Sequence, residues 1–254
     1  MSGIGQAVAL AVGFALVWAG LTETVPKPEP RPLVIPTARA PKTGLDAWPD
    51  IRRAVQPRIE RELALAGFKP GAPVFIRIFK QSHELQVFLK DGPEYRHYRT
   101  YPICNFSGGL GPKLKEGDRQ SPEGFYMVTP GQMNPNSKFH LSFNLGYPNA
   151  FDRSHGRTGS ALMVHGNCVS IGCYAMTDAA IEEIYFLVDA AQRAGQGAVP
   201  VHTFPFRMKG SSPLDPDNED FWDNLKEGYD AFEATKNPPK VSAKGGRYII
   251  TPAS

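Results

Sequence analysis

Apolar positions recur at two spacings along this chain, and the switch between them separates helices from strands. From Asp50 to Gly67 the residues Ile51, Val55, Ile59 and Leu63 fall four apart, which predicts a helix stopped at Gly67. Pro57 lies inside that pattern and predicts a kink or a later start. Short β-rich runs follow at Val74–Phe79, Glu84–Leu89 and Tyr95–Ile103, with Asp91-Gly92 marking a hairpin between the last two. Gly124–Val128 and Lys138–Leu145 are further strand candidates, and Ala161–Val164 is a brief apolar strand ending at His165. Helical spacing returns with Ile181, Ile184, Leu187, Val188 and Ala191, capped by Thr177 or Asp178 and ended by Gly195. Beyond Pro200 a second amphipathic helix carries Phe221, Trp222, Leu225, Tyr229 and Phe232, and a strand-like Arg247–Ile250 follows Pro238-Pro239. The class is α+β: a mostly antiparallel β-sheet core, helices packed at one side, and a C-terminal helical extension.

Before Asp50 the pattern is of another kind. Ala7 to Leu21 is almost continuously apolar, and the first charged side chain is Glu23. That run is intermediate between the apolar core of a secretory signal and a full membrane span. Residues 1–25 are therefore read as a signal peptide or a membrane anchor, with anchoring through residues 4–21. Either way the remainder is exported. Pro26, Pro28, Pro30, Pro32, Pro36, Pro41 and Pro49 then make residues 26–49 an extended linker. Residues 50–199 form the expected catalytic domain, and residues 200–254 an extension packed on it.

Composition narrows the function. Among 254 residues, 28 basic and 25 acidic side chains leave a formal net charge of +3, which lacks the electrostatic footprint of a nucleic-acid binder. A hydrophobic fraction of 41% supports a buried core. Three cysteines are too few for a disulfide-built scaffold, and one must stay unpaired within the chain.

The candidate chemistry lies in MVHGNCVSIGCYAMTD, Met163–Asp178. Breaking or making an amide bond by covalent catalysis needs a nucleophile, a base and donors for the developing oxyanion. Cys173 is the candidate nucleophile: Gly172 allows close backbone approach, and the helix that follows is expected to lower the thiol pKa. His165 is the candidate base. The backbone N–H groups of Gly172 and Cys173 are candidate oxyanion donors. Three alternatives stay open on spacing alone. Cys173 could be an apolar filler, His165, Cys168 and Cys173 could be metal ligands, or Cys104 and Cys168 could form disulfides.

The chain also resembles the L,D-transpeptidase catalytic domain (YkuD-like) family, and within it the YafK-like branch. The motifs are His165-Gly166 followed by Ser170-Ile171-Gly172-Cys173, with Gly111–Lys113, Gly117-Asp118, Ser121–Tyr126, Tyr147–Asn149, Asp152 and Cys173–Asp178. Ile171 stands where the family at large has a second histidine, and Tyr174-Ala175-Met176 replaces an arginine-containing strand; both departures match the branch. The resemblance implies a YkuD-like β-sandwich and a cofactor-free, metal-free cysteine acyl transfer on peptidoglycan stem peptides, at the L-centre of diaminopimelate. It also implies that Gly166 or Asn167 orients His165 and that Ser170 supports the turn. Its expected setting is the periplasm. The expected partners are stem peptides and a peptidoglycan-linked outer-membrane protein.

Further candidates for substrate contact are Arg157, as a carboxylate clamp, with His155, Ser170, Tyr174 and Lys113. Lys113 and Asp118 belong to the Gly108–Pro122 loop, which is long enough to wall or cover a cleft. Glu123 is read as a turn tether, and His83, His97, His140 and His202 as structural or surface residues. The competing function is a non-catalytic peptidoglycan-binding module with the same fold.

Overall fold

The computed structural model describes residues 47–210 and 215–253. The signal or anchor at 1–25, and the linker up to residue 46, lie outside the described residues. Among those described, no helix is long and apolar enough to cross a membrane.

The fold begins with α1 (Ala47–Leu65), which starts three residues ahead of the expected Asp50 and runs unbroken through Pro57. The earlier start is paid for by burial of Trp48, whose indole lies 4.6 Å from the Tyr185 ring. Ile59 and Leu63 are buried as their spacing requires.

Two five-stranded sheets form the body. The first holds β1 (Val74–Phe79), β2 (Glu84–Asp91), β3 (Glu94–Pro102), β5 (Gly124–Val128) and β10 (Val199–Phe204), ordered β3-β2-β1-β10-β5. The second holds β4 (Asn105–Phe106), β6 (Met133–Asn134), β7 (Ser142–Asn144), β8 (Met163–His165) and β9 (Tyr174–Ala175), ordered β4-β9-β8-β7-β6. Pairing is antiparallel except at β1–β10 and β8–β9. Val74, Ile76 and Ile78 from the first sheet share one core with Phe143, Val164 and Tyr174 from the second, the arrangement of a sandwich.

Strand β1 is buried along its whole length, because alternate residues face different layers. Phe75 and Phe79 point away from the sandwich interior, towards Phe232 and Tyr229 of α4 (Glu219–Thr235). The C-terminal extension thus covers the outer face of the first sheet. The domain boundary at 199 needs correction, however. β10 lies inside the sheet between β1 and β5, so the catalytic domain continues to Phe204. Pro200 and Pro205 punctuate that stretch and hide it, yet Pro200 lies near the start of the strand, one residue before its register with β1 begins at Val201, where a missing N–H costs little.

Helix α3 (Asp178–Arg193) is capped by Thr177, whose side chain accepts from Ala180 N, and buries Ile181, Ile184, Leu187, Val188 and Ala191. The chain closes with a hairpin of β11 (Lys240–Lys244) and β12 (Arg247–Thr251), joined through Gly245-Gly246.

Candidate active site

The parallel pairing of β8 and β9 organises the site. Val164 pairs with Tyr174 and His165 with Ala175, which lays Cys173 beside Met163. The Met163 N–H donates to Cys173 Sγ at 3.4 Å, and Sγ lies 3.6 Å from the Ala161 carbonyl oxygen. Cys173 is the free cysteine, and it is partly buried.

His165 is 1% exposed. Its Nδ1 lies 2.6 Å from the Gly166 carbonyl oxygen. A carbonyl only accepts, so Nδ1 carries the proton and Nε2 of the neutral ring is left as a base. The Phe139 ring covers the imidazole at 4.7 Å. Gly166 N–H donates to the Phe139 and Leu141 carbonyls, and a Cβ at Gly166 would fall 2.6 Å from Asp178 Oδ1. The orienting carbonyl is therefore fixed from both sides.

Burial dominates the electrostatics. It pushes the Cys173 thiol above its ordinary value, against the opposing effects of the Met163 N–H and the Lys113 charge. It pushes His165 below its ordinary value, partly offset by the bond to Gly166. Both directions favour a neutral thiol beside a neutral imidazole. The helix that was expected to lower the thiol pKa begins at Asp178, and the net direction is upward because burial outweighs the groups that favour thiolate.

The turn between the two residues is tightly braced. Asn167 and Cys168 adopt left-handed φ values of 66° and 48°. Asn167 N donates to Asp178 Oδ1 at 2.8 Å, so its contact is with the start of α3. Cys168 is joined to Cys104, just ahead of β4. With its sulfur in a disulfide, Cys168 is unavailable as a thiolate metal ligand. Among the described residues no group of three or more His, Cys, Asp or Glu side chains is placed to hold a metal ion. Ser170 Oγ donates to the Cys173 carbonyl at 2.7 Å and accepts from Gly172 N at 3.2 Å. It braces the turn, and it also engages the Gly172 N–H that was a candidate oxyanion donor. Gly172 has φ 139°, and a Cβ there would press on Leu162 Cδ1 at 3.3 Å.

The remaining candidates separate. Lys113 is buried, with Nζ 2.5 Å from Asp118 Oδ1 and 2.9 Å from the Lys115 carbonyl, and its charge reaches Cys173. Tyr174 is fully buried and donates to the Pro122 carbonyl at 2.6 Å, so it is a core residue, contrary to expectation. Arg157 is corrected too: it donates to the fully buried Asp152 at 2.9 Å, with Phe151 and Phe221 rings 5.0 and 4.9 Å from its guanidinium. It pins α2 (Ala150–Ser154) instead of lining the cleft as an open clamp. His155 caps that helix, with Nδ1 3.0 Å from the Phe151 carbonyl, and its ring stacks on Phe151. Glu123 is a tether, as read: it pairs with Lys80 at 3.0 Å and accepts from Gly111 N and Trp222 Nε1. Sequence reasoning missed the Met163 N–H and the Phe139 cover. Backbone donors carry no residue-type signal, and Phe139 had been absorbed into a strand reading.

The model of the YkuD L,D-transpeptidase catalytic domain matches residues 73–202, and those bounds take in β1 and most of β10. The chain belongs to the L,D-transpeptidase catalytic domain family. It is 48% identical over 184 residues to YafK of Escherichia coli (strain K12), a protein named for this family, covering 71% of this chain and 75% of YafK. Among solved structures it is similar to the helical cell shape determining protein Pgp2 of Campylobacter jejuni, with 21% identity and a TM-score of 0.43. That match covers 69% of this chain and 63% of Pgp2, so the chain spans less than two thirds of Pgp2. L,D-transpeptidase 1 of Mycobacterium tuberculosis is similar at 17% identity and a TM-score of 0.30, covering 52% of this chain and 62% of that one.

Proposed function

We propose that this chain is a peptidoglycan-directed cysteine acyltransferase or amidase that works in the cell envelope. The observation that carries the reading is the Nδ1–H of His165 donated to Gly166, which leaves Nε2 as a base on the strand that pairs with the Cys173 segment. Nε2 takes the thiol proton as Sγ attacks the carbonyl on the L-centre of diaminopimelate. The C–S bond forms, the C–N bond breaks, and His165 returns the proton to the departing amine. The Cys173 N–H is the donor we assign to the oxyanion, since Gly172 N–H is engaged by Ser170. Water or a second amine then resolves the thioester, giving hydrolytic release of a linked group or transpeptidation. Family membership supports the peptidoglycan substrate. The Cys104–Cys168 disulfide supports an oxidising compartment such as the periplasm.

The test is mass spectrometry of muropeptides after incubating the full-length chain with isolated peptidoglycan, beside Cys173→Ala. Shortened peptides or released proteins dependent on Cys173 make it a hydrolase, and new cross-linked dimers make it a transpeptidase. Identical products from both samples, across peptidoglycans of several bacterial types, would overturn the enzyme reading in favour of a binding module.

A further inference from the structure

Helix α3 grips the surroundings of His165 at two points one turn apart. Asp178 and Glu182 stand four residues apart and so share a face of the helix. Asp178 Oδ1 accepts from the Asn167 N–H at 2.8 Å, in the turn that follows His165. Glu182 Oε1 lies 2.8 Å from His140 Nε2, an ion pair when that ring is protonated. His140 belongs to the segment between β6 and β7, and Phe139 beside it is the ring that covers His165 at 4.7 Å.

Gly166 sits in the gap between the two grips. A Cβ there would fall 2.6 Å from Asp178 Oδ1, 3.0 Å from the Phe139 carbonyl oxygen and 3.1 Å from His140 Cβ. Its N–H donates to the Phe139 carbonyl at 3.0 Å, and its own carbonyl accepts from His165 Nδ1 at 2.6 Å. The placement of residues 139–140 therefore reaches the imidazole by two routes: through the ring that keeps water off it, and through the carbonyl that fixes its tautomer. Phe139 is itself 39% exposed, so burial alone does not hold the ring down. His140 also has a left-handed φ of 71°, a conformation that persists in a residue with a Cβ where surrounding contacts enforce it.

We propose that His140, through its bond to Glu182, is a positioning residue for His165: it clasps residues 139–140 to α3, keeping Phe139 over the imidazole and the Phe139 carbonyl on the Gly166 N–H. That role rests on the reading of His165 as the base. The charged groups that act on His140 are Glu182 and Asp178, both of α3. The bond to Glu182 raises the His140 pKa against the lowering effect of burial, and Asp178 adds to the rise. The clasp is strongest when His140 is charged, since a charge-assisted hydrogen bond is roughly twice as strong as a neutral one.

The test is titration of the His165 ring by NMR in the full-length Cys173→Ala chain, which reads the cover directly because burial is what lowers this pKa. His140→Asn places a residue that tolerates left-handed φ but cannot reach Glu182. Glu182→Ala cuts the same bond from the other side. Each should raise the His165 pKa by about half a unit or more, towards the ordinary value of about 6.5. The two variants differ in charge. Loss of the His140 cation favours protonation of His165, whereas loss of the Glu182 anion disfavours it. A purely Coulombic influence therefore moves His165 in opposite directions, while release of the cover moves it upwards in both. The double variant should add nothing to either single one, and Phe139→Ala should raise the pKa as well. The signal of the buried His202 in the same spectra reports an intact fold. With Cys173 restored, each variant should lose about five- to tenfold in kcat with KM little changed, because neither side chain touches substrate. Opposite shifts, an unmoved His165 in either variant, or an unchanged kcat beside shifted titrations would overturn the proposal. The titration needs no turnover, so it can succeed when the muropeptide assay fails and fail when that assay succeeds.

Discussion

His165 Nδ1 is bonded not to a carboxylate but to the carbonyl of the next residue, Gly166, at 2.6 Å. A carbonyl fixes the tautomer without adding negative charge, so nothing there raises the imidazole pKa as strongly as an aspartate would. Burial consequently holds it below the ordinary value.

The pH dependence of kcat/KM should follow from this. A protonated His165 cannot take the thiol proton, so activity falls on the acid side with a midpoint below the ordinary imidazole value of about 6.5, and it falls again on the alkaline side once the thiol has lost the proton that His165 returns to the amine. A rate–pH profile on a muropeptide substrate checks it. An acid limb centred above neutrality would mean that the rate follows ionisation of the thiol itself and would sink the assignment of His165 as the base. His165→Ala should lose nearly as much activity as Cys173→Ala, since the pair acts as a unit.

Lys113 tunes the thiol from the loop that walls it. Its charge opposes the rise that burial imposes on Cys173, and Asp118, held at about 2, keeps it in place. In Lys113→Gln the thiol pKa should rise further, and iodoacetamide should react with Cys173 about three- to tenfold more slowly near neutral pH. Lys113→Arg retains the charge and should stay close to wild type. Alkylation rates followed across pH distinguish a shifted thiol from a damaged fold, because only the former regains full rate at high pH.

The disulfide should contribute both stability and turn geometry. Cys104 and Cys168 are 64 residues apart, and closing a loop of that length is worth about 4 kcal/mol in the chain-entropy model. The Cys104→Ser, Cys168→Ser double variant should therefore melt well below wild type. It should also lose activity under conditions where it remains folded, because Cys168 lies in the turn between His165 and Cys173. Chemical denaturation with a parallel activity assay reads both. Full activity in the folded double variant would show that the bond serves stability alone.

The residues of the proposed chemistry were easier to pick out in the sequence than the strands that position them. His165, Cys173 and the Ser170 brace were legible because Gly and Cys at fixed spacing are tied to backbone demands that few other residues meet. α3 and α4 were legible because each buries one stripe. β10 was not, since two prolines bracket it and its partners lie far away in sequence. Strands β4 and β9 have two residues each, too few for any period, and exist through tertiary pairing. Arg157 and Tyr174 were misread for one reason: a polar group near a motif looks functional until its buried partner, Asp152 or the Pro122 carbonyl, is known.

His202 links the core to acid sensitivity. It lies on β10 between the rings of Phe75 and Phe125, each 4.7 Å away, and its Nδ1 has no hydrogen-bond partner. Burial, reinforced by the Arg77 charge, lowers its pKa to about 3. The unfolded chain binds this proton near pH 6.5 while the folded chain refuses it, so stability is complete above about 6.5 and declines as pH falls towards the folded value. The slope from this group is about 1.4 kcal/mol per pH unit, with His165 adding to it at the upper end of the window. In His202→Phe, a third ring in an aromatic cluster, the unfolding midpoint in urea should depend much less on pH between about 6 and 4. His165→Ala serves as the control for the smaller share. An unchanged pH dependence in His202→Phe would show that the acid sensitivity comes from the carboxylate pairs instead.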